Sequence, residues 1–196
     1  MCREWGGPEK LTVNDVPLSP LRDGAVRIRV HAAGVNFADL LLIAGQYQEK
    51  PAFPFIPGAE AAGEVTELGA AVNRLKVGDR VMALTGLGAF AEEVVVDAQR
   101  VLPIPHAMEF ASAAAFPVAY GTSHGAVEWR AHLQSGDWLL VTGAAGGMGL
   151  ASQIKCGLKT YYGAPCPLPS AIKPPEFSRP HEGCFEPKRH PALSWL

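Results

Sequence analysis

Apolar and polar positions alternate with a period of two over residues 26–30, where Val26, Ile28 and Val30 are separated by Arg27 and Arg29. This is the pattern of a strand with one buried face. Short apolar runs at 11–16, 60–68, 79–84, 91–96 and 101–104 are divided by glycine, proline and asparagine, which end strands and open turns. Each predicts a short strand, and their close succession predicts a compact, barrel-like β domain instead of alternating β and α units. Beyond Glu109 the pattern becomes helical, over 111–116 and then 120–129. The second helix would carry the chain to a further strand at 138–142, Trp-Leu-Leu-Val-Thr, which runs directly into Gly143-Ala144-Ala145-Gly146-Gly147-Met148-Gly149.

An apolar strand, a glycine-rich turn and a following helix form the unit that holds a dinucleotide pyrophosphate. Glycines let the backbone approach the phosphates, and the helix start offers unpaired N–H groups and the positive end of its dipole. Set on the usual fingerprint, Ala144-x-Gly146-x-x-Gly149 has alanine at the first glycine position. Ala144, Gly146, Gly147, Met148 and Gly149 are therefore the candidate cofactor-binding residues. A second strand ending in a ribose-binding acid is expected roughly 20 residues further on, but the chain turns proline-rich instead. Residues 151–196 hold 8 of the 17 prolines and 3 of the 4 cysteines, with no strand-like alternation and no room for a long helix. This tail is expected to be irregular or disordered, and the chain to be truncated within its cofactor domain.

Composition agrees with a real core. Of 196 residues, 48% are hydrophobic, enough for one domain and part of another. A formal net charge of -2 gives no reason to expect nucleic acid or an anionic membrane as partner. No apolar stretch is long enough to span a bilayer, and the amino terminus lacks a signal-peptide core. A cytoplasmic location is the default expectation, with the mitochondrion also admissible. Cys2, Cys156, Cys166 and Cys184 form no C-x-x-C pair and read as free thiols. Asp79 and Arg80 read as a turn with a local ion pair.

Several landmarks together give the chain a family likeness: Arg3-Glu4-Trp5-Gly6-Gly7-Pro8-Glu9, Gly34-Val35-Asn36-Phe37-Ala38-Asp39, Gly45-Gln46-Tyr47, Pro57-Gly58-Ala59-Glu60-Ala61-Ala62-Gly63-Glu64-Val65, Val77-Gly78-Asp79-Arg80-Val81 and the glycine turn. Over roughly residues 2–150 the sequence resembles the zinc-free quinone oxidoreductase, or zeta-crystallin, branch of the medium-chain dehydrogenases and reductases. The resemblance implies a mainly β fold with some α: a GroES-like β-barrel catalytic domain over 1–118, a connecting helix and the first βα element of an incomplete Rossmann domain over 119–155, and a divergent tail over 156–196. It also implies NADPH in the cleft between the two domains, and hydride transfer to a quinone or an enone. The choice between NADP and NAD lies with residues of the second Rossmann strand.

The same landmarks argue against zinc. Zinc-dependent relatives place a cysteine where Asn36 stands and a histidine where Ala59 stands, and zinc requires such N or S donors at about 2.0 to 2.3 Å. Their four-cysteine lobe has no counterpart between residues 82 and 90. The cysteines and histidines of the tail match no compact ligand spacing.

Without a metal, a carbonyl must be polarised by hydrogen-bond donors, and the resemblance puts Asn36, Asp39 and Tyr47 near the nicotinamide. Asn36 would also touch the cofactor, Tyr47 would donate its hydroxyl to a developing enolate or hydroquinone oxygen, and Asp39 would orient its neighbours. Asn36-x-x-Asp39 before Leu40-Leu41-Leu42-Ile43 equally reads as a capping box, and the two roles are compatible. Thr122 matches a position near the cofactor, or else a threonine bonded within its own helix. The family counterpart of Glu60 is a buried structural carboxylate.

Two functions follow. One is an NADPH-dependent quinone reductase. The other is a truncated, inactive relative that persists as a binding or orphan module. Apolar faces of the 138–142 strand would then need cover from a second copy or a full-length relative.

Overall fold

The structure is a computed structural model that describes residues 1–133, 139, 141 and 143–155. All of these belong to one compact unit, Met1–Thr160. The expected irregular tail at 156–196 lies outside the described residues, as does most of the expected strand at 138–142; Leu139 and Val141 are described and are half-buried.

The architecture is mainly antiparallel sheet with some helix. Five strands, β1 (Ala25–Gly34), β2 (Glu60–Leu68), β3 (Arg80–Leu84), β4 (Glu93–Asp97) and β5 (Val101–Pro103), form a sheet in the order β4-β1-β2-β3-β5. Every pairing is antiparallel. Register follows the hydrophobic pattern: Val26 faces Val96 on one side and Leu68 on the other, and Ala83 faces Val101. Two irregularities in the β1–β2 ladder, at Arg27/Ile28 and Val30/Ala32, bend β1 where it passes from one part of the core to another.

The main core joins Val26, Ile28, Val65, Leu75, Val81, Ala83, Val94, Val96, Ala98 and Val101. A second cluster, Ala62, Ile104, Ala113 and Ala114, seats helix α2 (Phe110–Ala114) against β1 and β2. A third packs Cys2, Leu42, Ile43 and Phe55, so that helix α1 (Phe37–Ile43) is held to the amino-terminal segment. Cys2 is buried as a free thiol, its S–H donating to the Glu4 carbonyl.

Several expectations need correction. No strand forms over 11–16. Val13 and Val16 are exposed, the Thr12 hydroxyl bonds locally to the Asn14 side chain at 2.7 Å, and Pro17 follows, so local polar bonding and a missing donor replace a ladder. Arg27, read as a solvent-facing position of an alternating strand, is buried; its Nε lies 3.1 Å from Glu67 and 3.9 Å from Glu93, and its other end donates to the Ser19 carbonyl. Asp79 and Arg80 do not pair with each other. Asp79 accepts from the Lys76 N–H at 2.8 Å, while Arg80 donates to the carbonyls of His106 and Met108 and stacks over Phe110 at 4.3 Å.

The helix expected at 120–129 is two elements. Helix α3 (Pro117–His124) starts earlier, with Pro117 at its first turn where a missing N–H costs nothing. It continues as a π-helical turn, Gly125–Arg130, in which the Ala131 N–H reaches back to Ala126. Helix α4 (Gly147–Lys155) follows the glycine turn and packs on α3.

Candidate functional site

At the carboxyl end of β1 the chain leaves the sheet through Gly34 and Val35 and enters α1 with Asn36 as its N-cap. Asn36 and Asp39 form the expected capping box, with the Asp39 carboxylate accepting the Asn36 N–H at 2.8 Å. The Asn36 side-chain amide has a further task, because its Nδ2 donates to Oε1 of Glu60 at 2.8 Å. Asn36 is thus both the cap of α1 and a donor to β2.

Glu60 opens β2 and is only 2% exposed. Its second oxygen accepts the N–H of Val118, in the first turn of α3, at 2.8 Å. One buried carboxylate therefore binds the α1 cap and the α3 start together, satisfying both oxygens with donors as burial of a charge demands. Space for it comes from Gly34, its cross-strand partner, since a Cβ there would fall on the Glu60 carboxylate. Sequence reading set Glu60 aside as structural, and its geometry is structural; the link to Val118 crosses 58 residues, which no local pattern announces.

Asp39 is buried, and burial pushes its carboxyl above the ordinary value of 3.8; hydrogen bonds from the N–H groups of Asn36 and Gly58 pull the other way. The loop that carries Gly58 is pinned in turn, with the Thr85 hydroxyl donating to the Gly58 carbonyl at 2.8 Å. Asp39 and Tyr47 both line a cleft of about 420 Å³, together with Leu42, Glu49, Ala59 and Thr85. Tyr47 is partly exposed at this cleft. Of the three expected chemical residues, two thus share a cavity and the third, Asn36, is bonded to one of them.

Thr122 and the glycine turn do not line that cleft. Thr122 is exposed in the last turn of α3. Gly143 opens the turn with φ of 66°, and its carbonyl accepts the Gly146 N–H at 2.9 Å. A Cβ at Gly149 would stand 2.5 Å from the Gly143 oxygen and 2.8 Å from the Ala144 Cα, so only glycine allows the helix to start this close to the turn. The left-handed residue is Gly143, which the fingerprint does not include because it lies one residue before Ala144. Gly147 and Met148 are exposed in the first turn of α4, whose N–H groups have no partner within the helix.

A dinucleotide pyrophosphate fits these residues: a left-handed glycine, a close approach that excludes side chains and an exposed helix start. Among the described residues, no group of three or more His, Cys, Asp or Glu could hold a metal ion, and no helix is long and apolar enough to cross a membrane.

Comparison with known proteins puts this geometry in context. Residues 22–106 match the alcohol dehydrogenase GroES-like domain. The chain is 46% identical over 154 residues to quinone oxidoreductase-like protein 2 homolog of Nematostella vectensis, a match that covers 78% of this chain and 42% of that protein. The human synaptic vesicle membrane protein VAT-1 homolog-like protein superposes with a TM-score of 0.78 at 37% identity, over 80% of this chain and 50% of that one. The Escherichia coli quinone oxidoreductase, solved complexed with NADPH, gives a TM-score of 0.74 at 30% identity, over 80% of this chain and 48% of that one. The chain spans about half the length, or less, of these relatives. With an alcohol dehydrogenase GroES-like domain at 22–106 followed by a glycine turn and helix, the chain is similar over about four fifths of its own length to quinone oxidoreductase-like proteins of the medium-chain dehydrogenases and reductases.

Proposed function

We propose that this chain binds NADPH and takes part in the reduction of a quinone or an enone, with Asn36, Asp39 and Tyr47 serving the substrate end and Gly143, Ala144, Gly146, Gly147, Met148 and Gly149 the pyrophosphate. The observation that carries this reading is the glycine turn, where a left-handed Gly143 and a Gly149 that tolerates no Cβ lie at the start of an exposed helix. The NADPH complex of the E. coli relative supports the choice of cofactor.

When bound, the nicotinamide supplies the hydride. The protein's part is positioning and stabilisation of charge. Tyr47 donates its hydroxyl to the substrate oxygen on which negative charge grows, a contact that strengthens towards the transition state. Asp39 holds the start of α1 through the Asn36 N–H, and Asn36 spans from that cap to Glu60. One amide hydrogen of Asn36 is committed to Glu60, which leaves the other for a ligand oxygen. Thr122, exposed in the last turn of α3, is assigned to the cofactor by the family resemblance alone.

Titration of folded protein with NADPH, followed by fluorescence or calorimetry, tests the cofactor half. Saturable binding is expected, and NADPH consumption with 1,4-benzoquinone should follow it. Tyr47→Phe should lower kcat by about tenfold with NADPH affinity unchanged. A cooperatively folded sample that shows no binding would overturn the reductase reading and leave a binding module without cofactor chemistry.

A further inference from the structure

Two buried polar side chains stand beside the glycine turn with no part yet in the chemistry: Ser123, 2% exposed, and Gln153, 5% exposed. We propose that they are positioning residues that brace the turn from behind and hold its N–H groups ready for a pyrophosphate, a role that rests on the cofactor reading above.

Gln153 Nε2 donates to the Ala144 carbonyl at 2.8 Å and to the Gly149 carbonyl at 3.1 Å. Both of its hydrogens are thus used on the turn, one before α4 begins and one inside its first turn. Ser123 reaches across from α3, donating its hydroxyl to the Met148 carbonyl at 2.8 Å. Three carbonyls of the turn are therefore held by side chains buried at its rear.

The turn needs such support. Gly143, Gly146, Gly147 and Gly149 lose more conformational freedom on ordering than any other residue type, so the segment has little tendency to hold one shape. Fixing the Ala144 and Met148 carbonyls fixes the N–H groups of Ala145 and Gly149 on the opposite side of the same peptide planes, while the Leu150 N–H, in the plane of the Gly149 carbonyl, closes the turn onto the Gly146 carbonyl at 2.8 Å. Order present before binding lowers what the ligand must supply, and this raises affinity without any direct contact. A glutamine that only filled space would not need both amide hydrogens aimed at turn carbonyls.

The test compares wild-type protein with Gln153→Met, Gln153→Glu, Ser123→Ala and Ser123→Thr. The first pair keep the length and remove the donors, and Glu adds lone pairs against the two carbonyls. Amide hydrogen exchange over 144–149 in cofactor-free protein should quicken about tenfold in Gln153→Met, the change expected from losing roughly one net hydrogen bond, and further in Gln153→Glu. Amides of β1 and β2 should keep wild-type protection. The NADPH dissociation constant should rise in the same order, and Ser123→Thr, which keeps the hydroxyl, should bind more tightly than Ser123→Ala.

Wild-type binding that stays within twofold in Gln153→Met, with unchanged exchange at the turn, overturns the brace alone. Loss of protection spread evenly over the sheet would also overturn it, since Gln153 would then be a general packing residue. Wild-type protein that binds no NADPH overturns the cofactor reading, and the proposed purpose of the brace with it.

Discussion

The sheet and the α3–α4 region are built by different means. In the sheet, alternating apolar side chains from five strands meet in one cluster, and most strand N–H and C=O groups are satisfied by neighbouring strands. In the α3–α4 region, where few apolar side chains such as Val127 and Ala151 are buried, named polar contacts carry more of the order, Glu60 to Val118, Ser123 to Met148 and Gln153 to the turn, while Trp129 is 70% exposed and Phe116, Met148 and Leu150 are partly so. Apolar burial tolerates small displacements, because it scales with area and has no direction. Hydrogen bonds do not, and in a turn proposed to hold a cofactor direction matters.

Substitutions can break this contrast in order of size. Ile28→Ala, at the centre of the sheet core, should lower stability by about 3 kcal/mol, read from denaturant unfolding, because a cavity remains where the side chain was fully buried. Glu60→Gln should cost about 1 to 2 kcal/mol, since its amide group must face either the Asn36 amide or the Val118 N–H and leave one donor without an acceptor. The contrast predicts that this loss shows first as faster amide exchange at the start of α3, with β3 and β4 unaffected. A uniform response would mean that the two regions unfold as one.

Asp39 gives a smaller, pH-dependent effect. Its pKa is raised in the folded protein, so the protonated form is favoured by folding. The stability it contributes is complete below 3.8 and is lost as pH rises through the higher folded value. Asp39→Asn should remove this dependence, so thermal midpoints of wild type and variant measured from pH 4 to 7 should shift in the variant's favour as pH rises. Parallel curves would contradict a raised pKa. Trp129→Gln should change stability least, by about 0.5 kcal/mol or less, because the ring is 70% exposed and its aromatic contact, with His124, is edge-on at 5.4 Å.

The same contrast explains what could be read in the sequence. Strand β1 was legible from the alternation at 26–30, β2 and β3 as short apolar runs ended by glycine, proline and asparagine, and the α1 cap because Asn36 and Asp39 are three residues apart. The segment at 11–16 misled because β-branched residues there are not buried by any partner strand, which no local pattern encodes. Burial of Arg27 was hidden for the same reason: its partners, Ser19, Glu67 and Glu93, come from three other segments. In the candidate site, the glycine turn was visible as a motif, but which of its residues adopts the left-handed conformation was not: Gly143 does, one residue before the fingerprint position held by Ala144. Glu60, Ser123 and Gln153 act on groups far along the chain or on backbone carbonyls, and neither leaves a mark in composition or period.

The shared space between Gly34 and Glu60 bears on how this sequence can change over generations. A methyl group at position 34 would occupy the volume of the carboxylate opposite, so a lineage that gains a side chain at 34 must shorten or withdraw the one at 60. Aspartate at 60 would free that volume but reach about one methylene less far, leaving Asn36 or Val118 unmet. The two positions therefore form a joint choice, and a single step at either one is a detour through a weaker protein.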